Sequence, residues 1–468
     1  MYSSSKKLAH TFTEAKRGIK MKEYNMLEDS PGKSLLFFAL PMIIGNLFQQ
    51  FYNMADSIIV GKFVSEDALA AVGASYSLTT VFIMIAIGGG IGSAVIISQY
   101  LGAREYEKMK TSIYTALISF FIMSIFMFIF GIIANKKLLT MLNTPANIFD
   151  DAALYLRIYF MGLPFLFMYN ILSSIFNSLG KSRIPLYFLI FSSLLNIVLD
   201  LYMVIVMKMG VAGVAIATVI AQGISAVISF LVLLKTLDLY KIESEKVDLF
   251  NLQMLRRMVA IALPSILQQS IVSIGMVIVQ SVVNSFGSSV LAGYSAATRI
   301  ESISIVPMIA MGNAISTFTA QNLGAGQQDR IQEGYRAGYK IIVTIAIVLG
   351  FTIALFYRPI ISIFLDVQNG TEAFYTGINY LKFIGYFLVF LGLKAITDGV
   401  LRGAGDMTLF TISNLVNLSI RVIIAFRFAH IWGVQAVWYA IPMGWAANYI
   451  ISYIYYLTGR WQHKSIMI

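Results

Sequence analysis

Long apolar runs separated by short polar segments dominate the pattern of hydrophobic and polar positions along this chain. The first run, LLFFALPMIIGNLFQQFYNMADSIIVG, begins at residue 35. About 20 apolar residues are needed to cross the hydrocarbon core of a bilayer. The runs lack the alternation of a membrane barrel, so they indicate helices. We predict twelve transmembrane helices, at residues 35–59, 68–99, 111–134, 152–178, 184–207, 210–235, 256–284, 290–319, 337–357, 375–401, 407–428 and 434–458.

The two halves of the chain resemble each other. ALPMIIGNLFQQ at 39–50 is similar to ALPSILQQS at 262–270, SQYLGA at 98–103 to AQNLGA at 320–325, and SSLLNIVLD at 192–200 to SNLVNLSIR at 413–421. The offset stays between 221 and 225 residues, which chance matches would not do. Six spans per half make the repeat parallel, and two similar lobes with a cleft between them are typical of an alternating-access transporter.

We therefore predict an all-α integral membrane protein of two pseudo-symmetric six-helix lobes. The predicted segments are an N-terminal tail at 1–33, an N-lobe at 34–235, a linker at 236–255, a C-lobe at 256–458 and a C-terminal tail at 459–468.

Composition and charge support a membrane protein. Apolar residues make up 58% and charged residues 12%, against about 25% charged in soluble domains. Most of the 34 Lys and Arg residues fall in segments on the side of the termini, which predicts that both termini are cytoplasmic in the cell membrane. The net charge of +11 reflects this asymmetry, so we expect membrane lipid rather than nucleic acid as a partner. The absence of cysteine excludes disulfides and thiolate catalysis.

Polar residues inside the first-half spans are candidates for function. Asp56 lies in the first run, and a carboxylate near a bilayer centre costs at least about 2.5–3.5 kcal/mol. Asn196 and Asp200 share a helical face, and Thr218 lies in the next span. These residues offer only oxygen ligands, which hard cations prefer. The alternative is that each acid braces a neighbouring helix separately.

The repeat makes the acidic cluster a property of the first half. Asn196 corresponds to Asn417, but Asp200 corresponds to Arg421. In the second half, Lys394 and Asp398 are four residues apart and are predicted to pair. We expect Arg421 and Asn417 to join them in a structural polar network.

Several of these fragments together resemble the multidrug and toxic compound extrusion (MATE) family over essentially residues 33–458. They are LPMIIGNLFQQFYNMADSIIVG, ALAAVGAS, ISQYLGA, and NIVLD followed by GVAGVAIATVIAQ. The resemblance implies a V-shaped pair of lobes that exports cationic or amphipathic compounds in exchange for inward Na⁺ or H⁺, as a single chain without another cofactor. It also implies a first-lobe Na⁺ or H⁺ site formed by Asp56, Asn196, Asp200 and Thr218. The seventh span carries no acid, so a second-lobe cation site is not expected.

Cation entry is predicted to bend or repack the first span near Pro41 and Gly45. Polar residues of the first and seventh spans are candidates for the substrate cleft, although interhelical hydrogen bonds explain them as well. They are Gln49, Gln50, Tyr52, Asn53, Gln268, Gln269 and Gln280. In GGGIGS, Gly88 and Gly92 are four residues apart, which predicts close helix packing rather than a dinucleotide loop.

Three other functions are compatible with parts of the sequence. A flippase for lipid-linked sugars has the same two-lobe architecture. A channel would move its substrate without coupling to an ion gradient. GAGD at 403–406 fits the G-x-G-D pattern of intramembrane aspartyl proteases, with Asp398 or Asp200 as the second acid, but it falls in a predicted cytoplasmic turn. No P-loop is present, so we expect a transporter energised by an ion gradient and not an enzyme.

Overall fold

The structure is a computed structural model that describes residues 24–240, 247–365 and 372–464. Residues 1–23 of the predicted N-terminal tail, 241–246 of the linker and 465–468 of the C-terminal tail lie outside the described residues, as do 366–371.

The described chain forms helices at all twelve predicted positions, which we number span 1 to span 12. Nine of the described helices are long and apolar enough to cross a membrane, and two bent helix pairs, spans 4 and 10, raise this to eleven. Span 12 is a further helix of 23 residues, rich in Trp and Tyr. The prediction of an all-helical twelve-span fold is confirmed. In order, the helices are Pro31–Phe63, Glu66–Gly102, Tyr106–Met141, Phe149–Met161 with Leu163–Ser178, Arg183–Leu201, Gly210–Leu237, Leu252–Asn284, Ser288–Gly324, Gln328–Ser362, Glu372–Gly385 with Leu388–Ala404, Met407–Trp432 and Gln435–Leu457.

Spans 4 and 10 are bent at equivalent positions of the repeat. The two helices of span 4 meet at Gly162 with a bend of 51°, and those of span 10 meet after Gly385 with a bend of 50°. Pro164 begins the second helix of span 4, where its missing N–H costs no helical hydrogen bond. The sequence predicted one span at 152–178 and one at 375–401 and did not indicate the bends.

The two lobes are in close contact on the side of the membrane where span 1 begins, which we call the terminus side. Spans 2 and 8 cross there backbone to backbone, because a Cβ added to Gly102 or to Gly324 would overlap the backbone of the other span, at Gln321 and Gln99 respectively. The Gln321 side chain also donates to the Ser178 carbonyl at 2.8 Å. These contacts close the terminus side.

The glycines of GGGIGS pack span 2 against span 7. A Cβ on Gly88 would lie 2.7 Å from Ile266 Cγ1, and one on Gly92 would lie 2.8 Å from Ala262 Cβ. Real Cβ atoms essentially never come within 3.0 Å of another heavy atom. The predicted role of these glycines in helix packing is confirmed.

Spans 1 and 7 each pack against both lobes. Leu35 and Phe38, in the first turns of span 1, belong to the hydrophobic core of the C-lobe. Met254 and Met258, in the first turns of span 7, belong to the core of the N-lobe. The later part of span 1 returns to the N-lobe, where Val60 packs in a smaller cluster. Each of these helices therefore links the two lobes along its length.

On the opposite side of the bundle, which we call the far side, span 1 carries a stripe of exposed polar side chains. Asn46, Gln50, Asn53 and Ser57 are exposed and lie on one face of span 1. Exposed polar side chains in a membrane helix face water or a protein cavity rather than lipid. This stripe therefore marks one wall of a cleft that opens to the far side.

Candidate functional site

The four predicted cation-site residues lie together in the far half of the N-lobe. Asp56 comes from span 1, seven residues before its end, which is about 10 Å along the helix axis. Asn196 and Asp200 come from span 5, and both are buried. Thr218 comes from span 6 and is half-buried. Three helices therefore supply the residues of the site.

The side-chain amide of Asn196 connects these helices. With its nitrogen toward the carboxylate, it donates to Asp200 Oδ2 at 3.0 Å and to the Tyr52 hydroxyl at 3.2 Å, while its oxygen accepts from the Thr218 N–H at 3.1 Å. The amide therefore presents its donor to Asp200 and Tyr52 and its oxygen to Thr218.

The carboxyl groups of Asp56 and Asp200 lie close enough together for a side-chain hydrogen bond. Such a bond needs one shared proton, because an ionised carboxylate only accepts. Among the described residues, Asp56 Oδ1 and Asp200 Oδ1 are buried without a hydrogen-bond partner. An unpartnered buried acceptor costs about 1–3 kcal/mol. The pair is therefore suited to bind a proton or a small cation.

An apolar cluster borders the carboxyl pair toward the far side. It contains Ile59, Val60, Val204, Val211 and Val214, with Tyr155 of span 4 packed against it. The Tyr155 hydroxyl lies within electrostatic range of both acids. Apolar walls lower the local dielectric and strengthen the interaction of the carboxylates with any bound charge.

The backbone of span 5 changes its winding directly after Asp200. Residues Tyr202–Val206 form a π-helical turn, and the following loop contains positive φ angles at Lys208 and Gly210. Single π-helical turns are frequent at functional sites. This turn begins two residues after Asp200, at the edge of the site.

The predicted C-lobe network is only partly correct. Lys394 Nζ lies 3.2 Å from Asp398 Oδ2, as predicted, and Asp398 also accepts hydrogen bonds from Asn414 at 3.2 Å and Ser452 at 2.8 Å. Arg421 is not among these partners. Asp398 lies about 9 Å from the terminus-side end of span 10, whereas Arg421 lies about 21 Å into span 11.

Asn417 likewise does not join Asp398. Its Oδ1 is buried without a partner among the described residues. The predicted network is therefore two separate clusters at different depths, because spacing along a helix fixes the face of a residue but not its depth relative to another helix.

The deeper C-lobe cluster contains an acid that the sequence analysis missed, Glu301 of span 8. Its carboxylate accepts a 2.6 Å hydrogen bond from the Tyr380 hydroxyl, and Arg421 lies within electrostatic range of both groups. Glu301 is buried and is the only acid in the predicted span 290–319. An acid in an apolar span is costly, which makes Glu301 a candidate for function for the same reason as Asp56.

The predicted cleft residues have different surroundings in the structure. Gln49 donates to Asn53 at 3.1 Å and Gln280 donates to Asn284 at 3.2 Å, each within its own helix. Gln269 contacts Met84 Sδ of span 2 at 3.6 Å, and Gln268 is half-buried.

Gln50 is exposed on the cleft stripe, whereas Tyr52 points into the N-lobe site. The predicted hinge residues Pro41 and Gly45 are buried within a continuous helix.

Asp406 and Asp398, two of the candidate acids for proteolysis, are held by other groups. Asp406 accepts a 2.6 Å hydrogen bond from the Tyr455 hydroxyl at the terminus-side turn between spans 10 and 11. Asp398 is occupied by Lys394 and Ser452. A catalytic acid dyad requires two carboxyl groups sharing one site, and in the described structure the close acid pair is Asp56 with Asp200.

Known proteins are similar to this chain in sequence and in fold. A family model described as MatE matches residues 41–202 and 264–426, one stretch in each half. The probable multidrug resistance protein YpnP of Bacillus subtilis is 29% identical to this chain, over 94% of this chain and 98% of YpnP. The probable multidrug resistance protein YoeA of the same organism is also 29% identical, over 93% of this chain and 95% of YoeA. A solved structure described as the outward-facing conformation of a multidrug resistance MATE family transporter of the MOP superfamily has a TM-score of 0.86 at 25% identity, covering 95% of this chain and 99% of that chain.

Proposed function

The chain belongs to the multidrug and toxic compound extrusion (MATE) family, and on this premise we propose that it exports cationic or amphipathic small molecules in exchange for Na⁺ or H⁺. The observation that carries the proposal is the Asp56–Asp200 carboxyl pair, with one unpartnered buried oxygen on each residue. The multidrug resistance names of its relatives support the substrate class. The exporter is a transporter of the cell membrane with cytoplasmic termini, working as a monomer.

The site can hold either coupling ion. A proton would be held between the two carboxyl groups, which lie close enough to share it. A sodium ion would be held by the carboxylates, the Thr218 hydroxyl and the Asn196 amide oxygen, which are the oxygen ligands that hard cations prefer. Sodium binding would require the Asn196 amide to turn its oxygen toward the carboxylates, because its nitrogen faces Asp200 in the structure.

Span 1 couples ion binding to movement of the lobes. Its far half carries Asp56 in the N-lobe, while Leu35 and Phe38 near its start are packed in the core of the C-lobe. Pro41 and Gly45 lie between these two regions and form the proposed hinge. A change in the charge or position of Asp56 therefore acts on the interface between the lobes.

The cycle follows from this connection. In the conformation open to the far side, which is the extracellular side under our assignment, a cation enters at Asp56 and Asp200 and favours release of substrate outward. Loss of the cation to the cytoplasm resets the site. Linkage requires that the cation weakens substrate binding by the same factor as the substrate weakens cation binding.

The test is efflux of a fluorescent cationic dye from proteoliposomes under a sodium gradient or a proton gradient, imposed separately. Asp56→Asn and Asp200→Asn remove one charge each and keep the size of the side chain. We expect each to slow gradient-driven efflux at least about tenfold, equivalent to about 1.4 kcal/mol. Asp151→Asn is the matched control, because Asp151 is exposed in the first turn of span 4.

The outcomes separate the alternatives. Full gradient-driven export by both variants would show that the site assignment is wrong. Dye movement that needs no gradient and survives the substitutions would indicate a channel. No dye movement under either gradient, with movement of a lipid-linked sugar instead, would indicate the flippase.

A further inference from the structure

The C-lobe contains a cluster that is equivalent by the repeat to the N-lobe cation site. Asn417 corresponds to Asn196, and Arg421 to Asp200, at the same offset of 221 residues. Tyr380, at 225 residues, corresponds to Tyr155, and each tyrosine lies within electrostatic range of the acids of its own lobe. The two clusters therefore use the same helix positions with different charges.

The acid of this cluster comes from a different helix. Glu301 of span 8 is 9% exposed and accepts the 2.6 Å hydrogen bond from Tyr380. The ring of Tyr294 lies 5.1 Å from that of Tyr380. Arg421 acts electrostatically on all three groups. Tyr294, Tyr380 and Arg421 are the titratable or charged groups of spans 8, 10 and 11 that face Glu301.

Arg421 and Asn417 pack against span 12, but each has a buried polar atom without a hydrogen-bond partner among the described residues. A Cβ on Gly444 would overlap the side-chain oxygen of Asn417 and would lie 2.9 Å from its backbone oxygen and 3.0 Å from Arg421 Cγ, so the bare backbone of span 12 packs against both residues. Asn417 is 8% exposed. Among the described residues, Asn417 Oδ1 and Arg421 Nε are nevertheless buried without a hydrogen-bond partner.

Charge balance distinguishes the two clusters. The N-lobe site has two carboxyl groups and needs a proton or cation from solution to offset them. The C-lobe cluster has one carboxylate and one guanidinium, which is always charged in proteins. No salt bridge within 4.0 Å joins Arg421 to an acid in the described ranges, so Arg421 neutralises the cluster without being locked to Glu301.

We propose that the C-lobe cluster is a second cation site whose cation is the Arg421 guanidinium, so that Na⁺ or a proton binds there only when that charge is removed. The inference rests on the proposed cation site of the N-lobe. It implies one exchangeable cation site in the protein, in the N-lobe, and a latent one formed by Glu301, Asn417 and Tyr380 in the C-lobe.

The test measures cation binding by the purified full-length protein with the N-lobe site inactivated by Asp56→Asn. The probes are radioactive sodium at equilibrium, and proton uptake by titration in sodium-free solution. Into this background we would place Arg421→Gln, Arg421→Lys as the charge-retaining control, and Arg421→Gln combined with Glu301→Gln.

We expect the Asp56→Asn protein to bind neither probe at the site, and Arg421→Gln to restore one equivalent of Na⁺ or of protons. Arg421→Lys should restore nothing, and Glu301→Gln should abolish the gain. No gain with Arg421→Gln in a protein that unfolds cooperatively would overturn the proposal and leave Arg421 and Glu301 as a purely structural pair. A gain that survives Glu301→Gln would also overturn it.

Folding of the variant is controlled by a second measurement. If Arg421→Gln leaves Glu301 buried and unbalanced, added cation should raise the unfolding temperature of that variant more than that of the wild type. An equal response of the two proteins contradicts the inference. Failure of the N-lobe proposal would appear separately, as wild-type cation binding that persists in Asp56→Asn.

Discussion

Replacing Gly102 with alanine should shift the protein away from the conformation that is open to the far side. Gly102 of span 2 and Gly324 of span 8 form the backbone crossing that closes the terminus side. A Cβ on Gly102 would lie 2.7 Å from the carbonyl carbon of Gln321 and closer still to its oxygen. Neither atom belongs to a flexible side chain, so the two helices must separate to accommodate it.

The size of the effect follows from that overlap. Ordinary contact begins at 3.4 Å, and the Gln321 oxygen overlaps more than the carbonyl carbon, so the helices must move apart by more than the ~0.7 Å that the carbon alone requires. Overpacking of this kind costs about 1–3 kcal/mol. The intrinsic helix preference of alanine over glycine, about 1 kcal/mol, cancels because the residue is helical in both conformations. The ratio of far-side-open to terminus-side-open protein should therefore fall by about 5- to 150-fold.

The chain contains no cysteine, so single cysteines report each conformation. Ser57→Cys on the exposed cleft stripe reports opening to the far side. Ser265→Cys, buried on span 7, reports opening of the terminus side. Labelling with a membrane-impermeant maleimide should slow at the first position and accelerate at the second in Gly102→Ala.

Gly73→Ala is the control, because a Cβ at Gly73, in the same helix, has no heavy atom within 4 Å. Gly102→Ala and Gly324→Ala together should add little to either alone, since one separation of the helices relieves both overlaps. Equal labelling of Gly102→Ala and Gly73→Ala at both reporters would refute the view that this crossing closes the terminus side.

Three further substitutions test other parts of the structure. Lys394→Met should destabilise the protein by about 3–5 kcal/mol, because it leaves the buried Asp398 carboxylate without its ion-pair partner. Adding Asp398→Leu should recover most of the lost unfolding temperature, and no recovery would contradict this explanation. Arg330→Gln removes hydrogen bonds that hold the segment before span 1. Labelling of Ser265→Cys, the terminus-side reporter, should therefore be faster in this variant, and an unchanged labelling rate would show that Arg330 does not help to close that side. Gly444→Ala should destabilise the protein by about 1–3 kcal/mol, seen as a lower unfolding temperature, whereas Gly73→Ala should not. Equal stability of the two variants would contradict the close packing of span 12 on Asn417.

The twelve spans could be predicted because the bilayer imposes a length on every crossing helix. Their ends could not, because the helices continue into water wherever the local sequence permits. Span 1 begins at Pro31, four residues before its predicted start, since proline is favoured in a first turn. The bend in span 4 carried a signal at Pro164, whereas the bend in span 10 has no proline.

The N-lobe site could be outlined because an acid in an apolar run is costly, and Asp56, Asn196 and Asp200 stand out for that reason. Tyr155 could not be assigned, since a tyrosine in an apolar span carries no such signal. The error at Arg421 has a physical cause. Its helical face was evident from the repeat, but its depth relative to Asp398 depends on how spans 10 and 11 are offset.

Spans 1 and 7 occupy equivalent places in the two halves and cross between the lobes in the same way. They differ in the charge that they carry. The far half of span 1 bears Asp56, whereas the far half of span 7 bears the neutral pair of Gln280 and Asn284. Under the proposed mechanism, binding of a cation therefore changes the electrostatics of one crossing helix only. A movement driven by the ion gradient must then begin in span 1, with span 7 and the charge-balanced cluster of Glu301 and Arg421 following it.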